Sequence, residues 1–160
     1  MAITTDILES YRRPRAVVRR QLAHGGQEAR ALAVLLGACL LMFVAQLPGL
    51  ARAAHFEPEV PLDARMGGAL MAMLFFVPLI AYAVAAVSHG VARLFGGQGT
   101  QLGARVALFW SLLAVSPLML FQGLVRGLVG AGLGLTATGV LVLVVFLIIW
   151  ANALIEVERA

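Results

Sequence analysis

Four stretches of this chain carry no charged residue over a length that can cross a lipid bilayer: Ala31 to Ala51, Met66 to Ser88, Val106 to Val125 and Gly127 to Ile155. A hydrocarbon core of roughly 30 Å is matched by about 20 helical residues, and inside it every backbone N–H and C=O must be bonded within the segment. Helices meet that requirement span by span. The expected fold is all-α, a polytopic transmembrane bundle of four spans at about 31–51, 66–90, 105–126 and 136–155. These form one membrane domain (31–155) between an arginine-rich arm (1–30) and a short tail (156–160). Only 12% of the residues are charged, against about 25% in a soluble domain, so little chain is left for a soluble core. Ala51-Arg52-Ala53 loosely matches a signal cleavage site. The apolar run before it is longer than a signal h-region and has some 30 residues ahead of it, so it is read as an uncleaved first span.

All twelve basic residues are arginine. The lack of lysine excludes a phosphate-loop lysine, a Schiff base and a lysine general base. The single cysteine, Cys39, lies inside the first run, leaving neither a disulfide framework nor a cysteine metal cluster. Deep inside the spans the polar side chains are Gln46, Tyr82, Ser111, Ser116 and Gln122, with Asn152 near an edge. Transporters and proton pumps generally use charged residues there, and these runs have none. Ser116 lies about 16 Å inward from Arg105 at helical rise, whereas His89 sits at the edge of its span, so the two cannot form a nucleophile and base. His55 with Glu57, Glu59 and Asp63 lacks the defined spacing of a metal site. The reading is non-enzymatic, with no catalytic residues, no cofactor and no metal.

The arm holds Arg12, Arg13, Arg15, Arg19, Arg20 and Arg30. Asp6 followed by Glu9 resembles a capping box that starts a short helix, and Pro14 must break or restart it. From Pro14, residues Ala16, Val17, Val18 and Leu22 make an apolar face beside Arg15, Arg19 and Arg20, the pattern of an amphipathic interfacial helix lying apolar side down on headgroups. His24-Gly25-Gly26 is expected to end it. The first five arginines are read as a contact for anionic lipids or for an acidic protein partner; nothing calls for nucleic acid or a small-molecule substrate. With four spans, nine arginines share the side of the arm against three on the other, which places both termini in the cytoplasm by the positive-inside rule.

Arg52 to Arg65 reads as an extended polar excursion and Gly96 to Thr100 as a tight connector, while Glu156, Glu158 and Arg159 are expected in water. Pro78 and Pro117 fall at similar depths, roughly 18 and 13 Å from the outer ends of their helices, and free the carbonyls of Leu74 and Leu113. Two antiparallel helices kinked at one level are expected to pack on each other, with Ser116 as a local substitute donor. Trp110 and Trp150 are placed as interfacial anchors. The last uncharged run is too long for one span, so Gly127 to Leu135 is assigned to an outer loop or re-entrant turn. Gly123 with Gly127, and Gly130 with Gly134, have the small-xxx-small spacing of close helix approach. Asn152 is a candidate for an interhelical hydrogen bond.

PRAVVRRQL (Pro14 to Leu22), LFGGQGT (Leu94 to Thr100) and ALFWSLLAVSPLMLFQGLVRGLVG (Ala107 to Gly130) are similar to the bacterial branch of the Yip-one domain family, named for Ypt-interacting proteins. The resemblance implies a compact polytopic protein with a cytoplasmic N-terminus, without catalytic residues or cofactor. The chain departs from the family's usual five spans, since Val106 to Ile155 cannot hold three. The expected function is an accessory, assembly or scaffold subunit of the bacterial inner membrane, bound to other membrane proteins or to copies of itself through the kinked helices and the arginine arm. The alternative is a small transporter or lipid-handling protein, which requires a hydrated cavity.

Overall fold

The computed structural model describes residues 3–23 and 28–159. In chain order it contains α1 (Ile3–Ser10), α2 (Pro14–Ala23), α3 (Glu28–Phe56), α4 (Leu62–Met71), a π turn (Ala72–Phe76), α5 (Val77–Leu94), α6 (Gln101–Leu128) and α7 (Leu133–Glu158), with no strand among the described residues. The π turn joins α4 and α5 into one helix, Leu62–Leu94. With α3, α6 and α7 this makes four helices long and apolar enough to cross a membrane.

Local chemistry sets the helix ends. Pro14 occupies the first turn of α2, where its missing N–H costs nothing. Thr100 caps α6 by accepting a hydrogen bond from the Gly103 amide at 3.1 Å. Gly130, at φ +85°, takes the left-handed conformation that ends α6. Asp6 sits inside α1 rather than capping it, because the helix already begins at Ile3; its carbonyl accepts the Ser10 hydroxyl. The expected helix end at His24-Gly25-Gly26 lies outside the described residues.

Two connections differ from expectation. Helix α3 continues to Phe56, so the excursion assigned to Arg52 to Arg65 shrinks to residues 57–61; Arg65 closes it through the carbonyls of Val60 and Glu57. The loop assigned to Gly127 to Leu135 shrinks to residues 129–132, since α6 runs to Leu128 and α7 starts at Leu133. Glycine tolerates helix where neighbours hold it there, and Gly127 is held against Pro48. Of the second glycine pair, Gly130 lies against the Arg52 side chain, whereas Gly134 has open space where a side chain would stand.

Helix α6 is the centre of the bundle. Its main neighbour is α3, then α7, and α5 touches it less. The two proline-bearing helices do pack on each other, away from their prolines: α5 meets α6 through Ala81 and Ala85 against Leu108 and Phe109, with Leu35 and Cys39 of α3 completing the cluster. Pro117 is exposed. Its unpaired carbonyl, Leu113, receives the Ser116 hydroxyl at 2.7 Å. Ahead of Pro78 the helix widens instead, and the Val77 amide reaches back to the Ala72 carbonyl, a π turn that absorbs the break in the ladder.

Candidate functional site

At one end of the bundle the α1–α2 hairpin is folded onto α6 and α7. Val17 and Val18 are fully buried in a cluster with Ala38, Trp110, Ala153 and Val157. Of the apolar face expected on headgroups, Val17 and Val18 are covered by protein while Ala16 stays exposed: the small side chains Ala38, Ala107 and Ala153 leave a trough that the two valines fill. Trp110 is 2% exposed and donates its indole N–H to Ser10 Oγ at 2.9 Å. It is a core residue tying α6 to the hairpin, not an interfacial anchor. The Tyr11 hydroxyl donates to the Ala114 carbonyl at 2.7 Å, and burial pushes its phenol up from the ordinary tyrosine value. Trp150 is half-buried and stacks on Phe146, its N–H without an acceptor among the described residues.

The arginines divide into two groups. Arg15 Nε donates to Asn152 Oδ1 at 3.1 Å, giving Asn152 its interhelical bond, and Arg19 pairs with Glu156. Arg20 pairs with Glu9, which raises the guanidinium above its usual value. Arg12 and Arg13 are exposed and bond to no described side chain. The Arg19 side chain is 75% exposed, so its pair contributes about 0.2–1 kcal/mol. Each buried valine contributes about 1.5–3 kcal/mol. The apolar seam, more than the ion pairs, holds the hairpin.

Glu158, expected in water, is 8% exposed. It accepts the Gly99 amide at 3.2 Å and meets His89 Nδ1 at 2.7 Å, while its own carbonyl accepts the Gln98 amide. The Gly96 to Thr100 connector is in this way latched to the end of α7. Glu28 forms a similar clasp with Arg105 at 2.8 Å and the Tyr82 hydroxyl at 3.0 Å. The sequence marks neither acid as structural, because both partners lie far along the chain.

At the opposite end α3 and α6 approach most closely. A Cβ at Gly123 would overlap the Ala45 carbonyl, and one at Gly127 would overlap Pro48. Arg52 reaches across to the carbonyls of Gly127 and Leu128 and covers the exposed end of α6. Beside this crossing a cleft of about 440 Å³ opens between α3, the π turn, α6 and α7, lined by Gln46, Met73, Gln122 and Arg126. Ser111 and Ser116 do not reach it; both are buried and donate to backbone carbonyls. A thiol reagent in water is therefore expected to label Gln122→Cys and to leave Ser111→Cys and Ser116→Cys unmodified in the folded protein. Labelling of both serine positions would reveal a wet path through the bundle and favour transport.

A family model described as the Yip1 domain matches residues 8–159, from inside α1 to the residue after α7. Neither a search of curated proteins nor one of solved structures returned a match. The family is one of membrane proteins that interact with other proteins and is not known as enzymatic. With a family match across nearly its whole length and four helices able to span a bilayer, the chain is an integral membrane protein and belongs to the Yip1 family.

Proposed function

We propose that the protein is a non-enzymatic accessory, assembly or scaffold subunit of the bacterial inner membrane, with both termini in the cytoplasm, and that it works by helix contact with another membrane protein. One observation carries this reading. The second spanning helix is the least covered of the four, and α5 and α7 leave between them an apolar groove of about 530 Å³ lined by Ala83, Val87, Ser88, Val91, Ala92 and Trp150. Small side chains at Ala83, Ser88 and Ala92 allow close approach of a further helix, which in lipid is driven by packing rather than by hydrophobicity. The nine-to-three division of arginines supports the cytoplasmic placement.

Photo-crosslinking in native membranes tests the groove. A crosslinking residue at Val87 or Val91 is expected to give one discrete adduct with another polypeptide, and the same residue at Phe121, exposed on α6, none. An adduct of twice the chain's mass would replace a foreign partner by a second copy. No adduct from the groove, or identical adducts from all three positions, would overturn the proposal.

A further inference from the structure

The hairpin does not close fully over α7. Between its turn and the last turns of α7 lies a cleft of about 520 Å³ lined by Arg12, Arg13, Arg15, Arg19, Asn152 and Glu156. Four guanidiniums face one carboxylate there, and that carboxylate is already held by Arg19, whose Nε donates to Glu156 at 2.9 Å. Arg15 is engaged by Asn152. The guanidiniums of Arg12 and Arg13 bond to no described residue. The first turn of the ten-residue α2 opens onto the same cleft and adds the positive end of its dipole. Two unpaired guanidiniums in a concave, net positive site form the geometry that holds a phosphate with bidentate hydrogen bonds.

A second feature fixes what carries the phosphate. Asn152 and Glu156 continue a stripe on α7 at helical spacing, Leu141, Val144 and Ile148, whose side chains are 50%, 46% and 55% exposed. The stripe runs from the cleft along the exposed face of α7 toward the middle of the helix. A ligand with a phosphate at one end and long apolar chains at the other matches both parts, and a soluble phosphate would leave the stripe uncovered. We infer that the cleft between the hairpin turn and α7 is a binding site for one anionic phospholipid, its phosphate on Arg12 and Arg13 and its acyl chains along Ile148, Val144 and Leu141. The inference rests on the membrane-spanning reading of α7 and gives the arm's lipid contact a defined site in place of diffuse attraction.

Native mass spectrometry of the full chain in mild detergent, titrated with phosphatidylglycerol or with phosphatidylcholine, tests it. Two exposed guanidiniums at a lipid phosphate correspond to about a 30-fold change in affinity. The double variant Arg12→Gln, Arg13→Gln is expected to lose phosphatidylglycerol retention by about that factor. Arg93→Gln with Arg159→Gln, of equal charge and outside the cleft, is expected to retain it. Ile148→Gln reads the acyl part and is expected to weaken retention with the phosphate contacts intact. Equal losses in the two double variants would overturn the site while leaving general attraction of the arm to the membrane standing. Equal retention of phosphatidylcholine, or inorganic phosphate displacing the lipid at comparable concentration, would overturn the phospholipid assignment. Neither double variant removes a side-chain bond present in the structure, so an unchanged melting temperature accompanies each result.

Discussion

Replacement of Gly123 by leucine is expected to destabilise the protein by about 3 kcal/mol or more, at or beyond the upper end of ordinary overpacking. The reason is the partner atom. A Cβ there would run into the Ala45 carbonyl, which is backbone in the middle of α3 and cannot rotate aside as a side chain would. Even Gly123→Ala should destabilise, although alanine is favoured over glycine within a helix by about 1 kcal/mol. Gly37, in α3 with open space around it, supplies the opposite sign: Gly37→Ala should be neutral or stabilising. Reversible unfolding in mixed micelles measures all three. A stabilising Gly123→Ala would show that α3 and α6 do not cross at this point.

Trp110→Ala is expected to cost about 3–5 kcal/mol, the range for removing a buried large aromatic, and to release the hairpin. Trp110 fills the space between Val17, Val18 and the small residues of α3 and α7, and it also bonds Ser10. Ser10→Ala removes only hydrogen bonds, the one from Trp110 and the one to the Asp6 carbonyl, and should cost about 1–3 kcal/mol. Tryptic cleavage after Arg19 and Arg20 reads the hairpin directly, since α2 must leave α7 for a protease to engage it. Faster cleavage in Trp110→Ala than in Ser10→Ala is expected; protection equal to the unsubstituted protein would mean that the seam does not depend on Trp110.

The spanning helices were legible because charge is absent over lengths that only a bilayer requires, and that signal needs no tertiary information. The small-xxx-small pair at Gly123 and Gly127 was legible as packing for the same reason, though its partner, α3 at Ala45 and Pro48, was not. Depth along the helices suggested that the helices bearing Pro78 and Pro117 pack on each other, and they do, through Ala81 and Ala85 against Leu108 and Phe109. The main neighbour of α6 is nevertheless α3, because depth says nothing about which side of a helix a neighbour occupies.

Trp110 shows the same limit more sharply. A tryptophan one turn inside an arginine has the sequence of an interfacial anchor, and only the docking of a hairpin a hundred residues away makes it core. The hairpin's apolar face was visible in Val17 and Val18, but amphipathicity does not distinguish lipid from protein as the covering surface. Glu158 was read as a water-exposed chain end, and it joins three segments remote in sequence, as does Glu28, which the sequence did not single out. The basic cleft was legible as charge and not as shape.

Contact through the groove between α5 and α7 is the work proposed for this protein. Native mass spectrometry of the complex extracted from its own membranes in mild detergent tests this most directly, comparing the unsubstituted chain with Val87→Trp, which fills the groove. The account predicts a second polypeptide at a fixed ratio that disappears in Val87→Trp while the chain stays folded. A lone monomer from both, or a companion retained unchanged when the groove is filled, would contradict it.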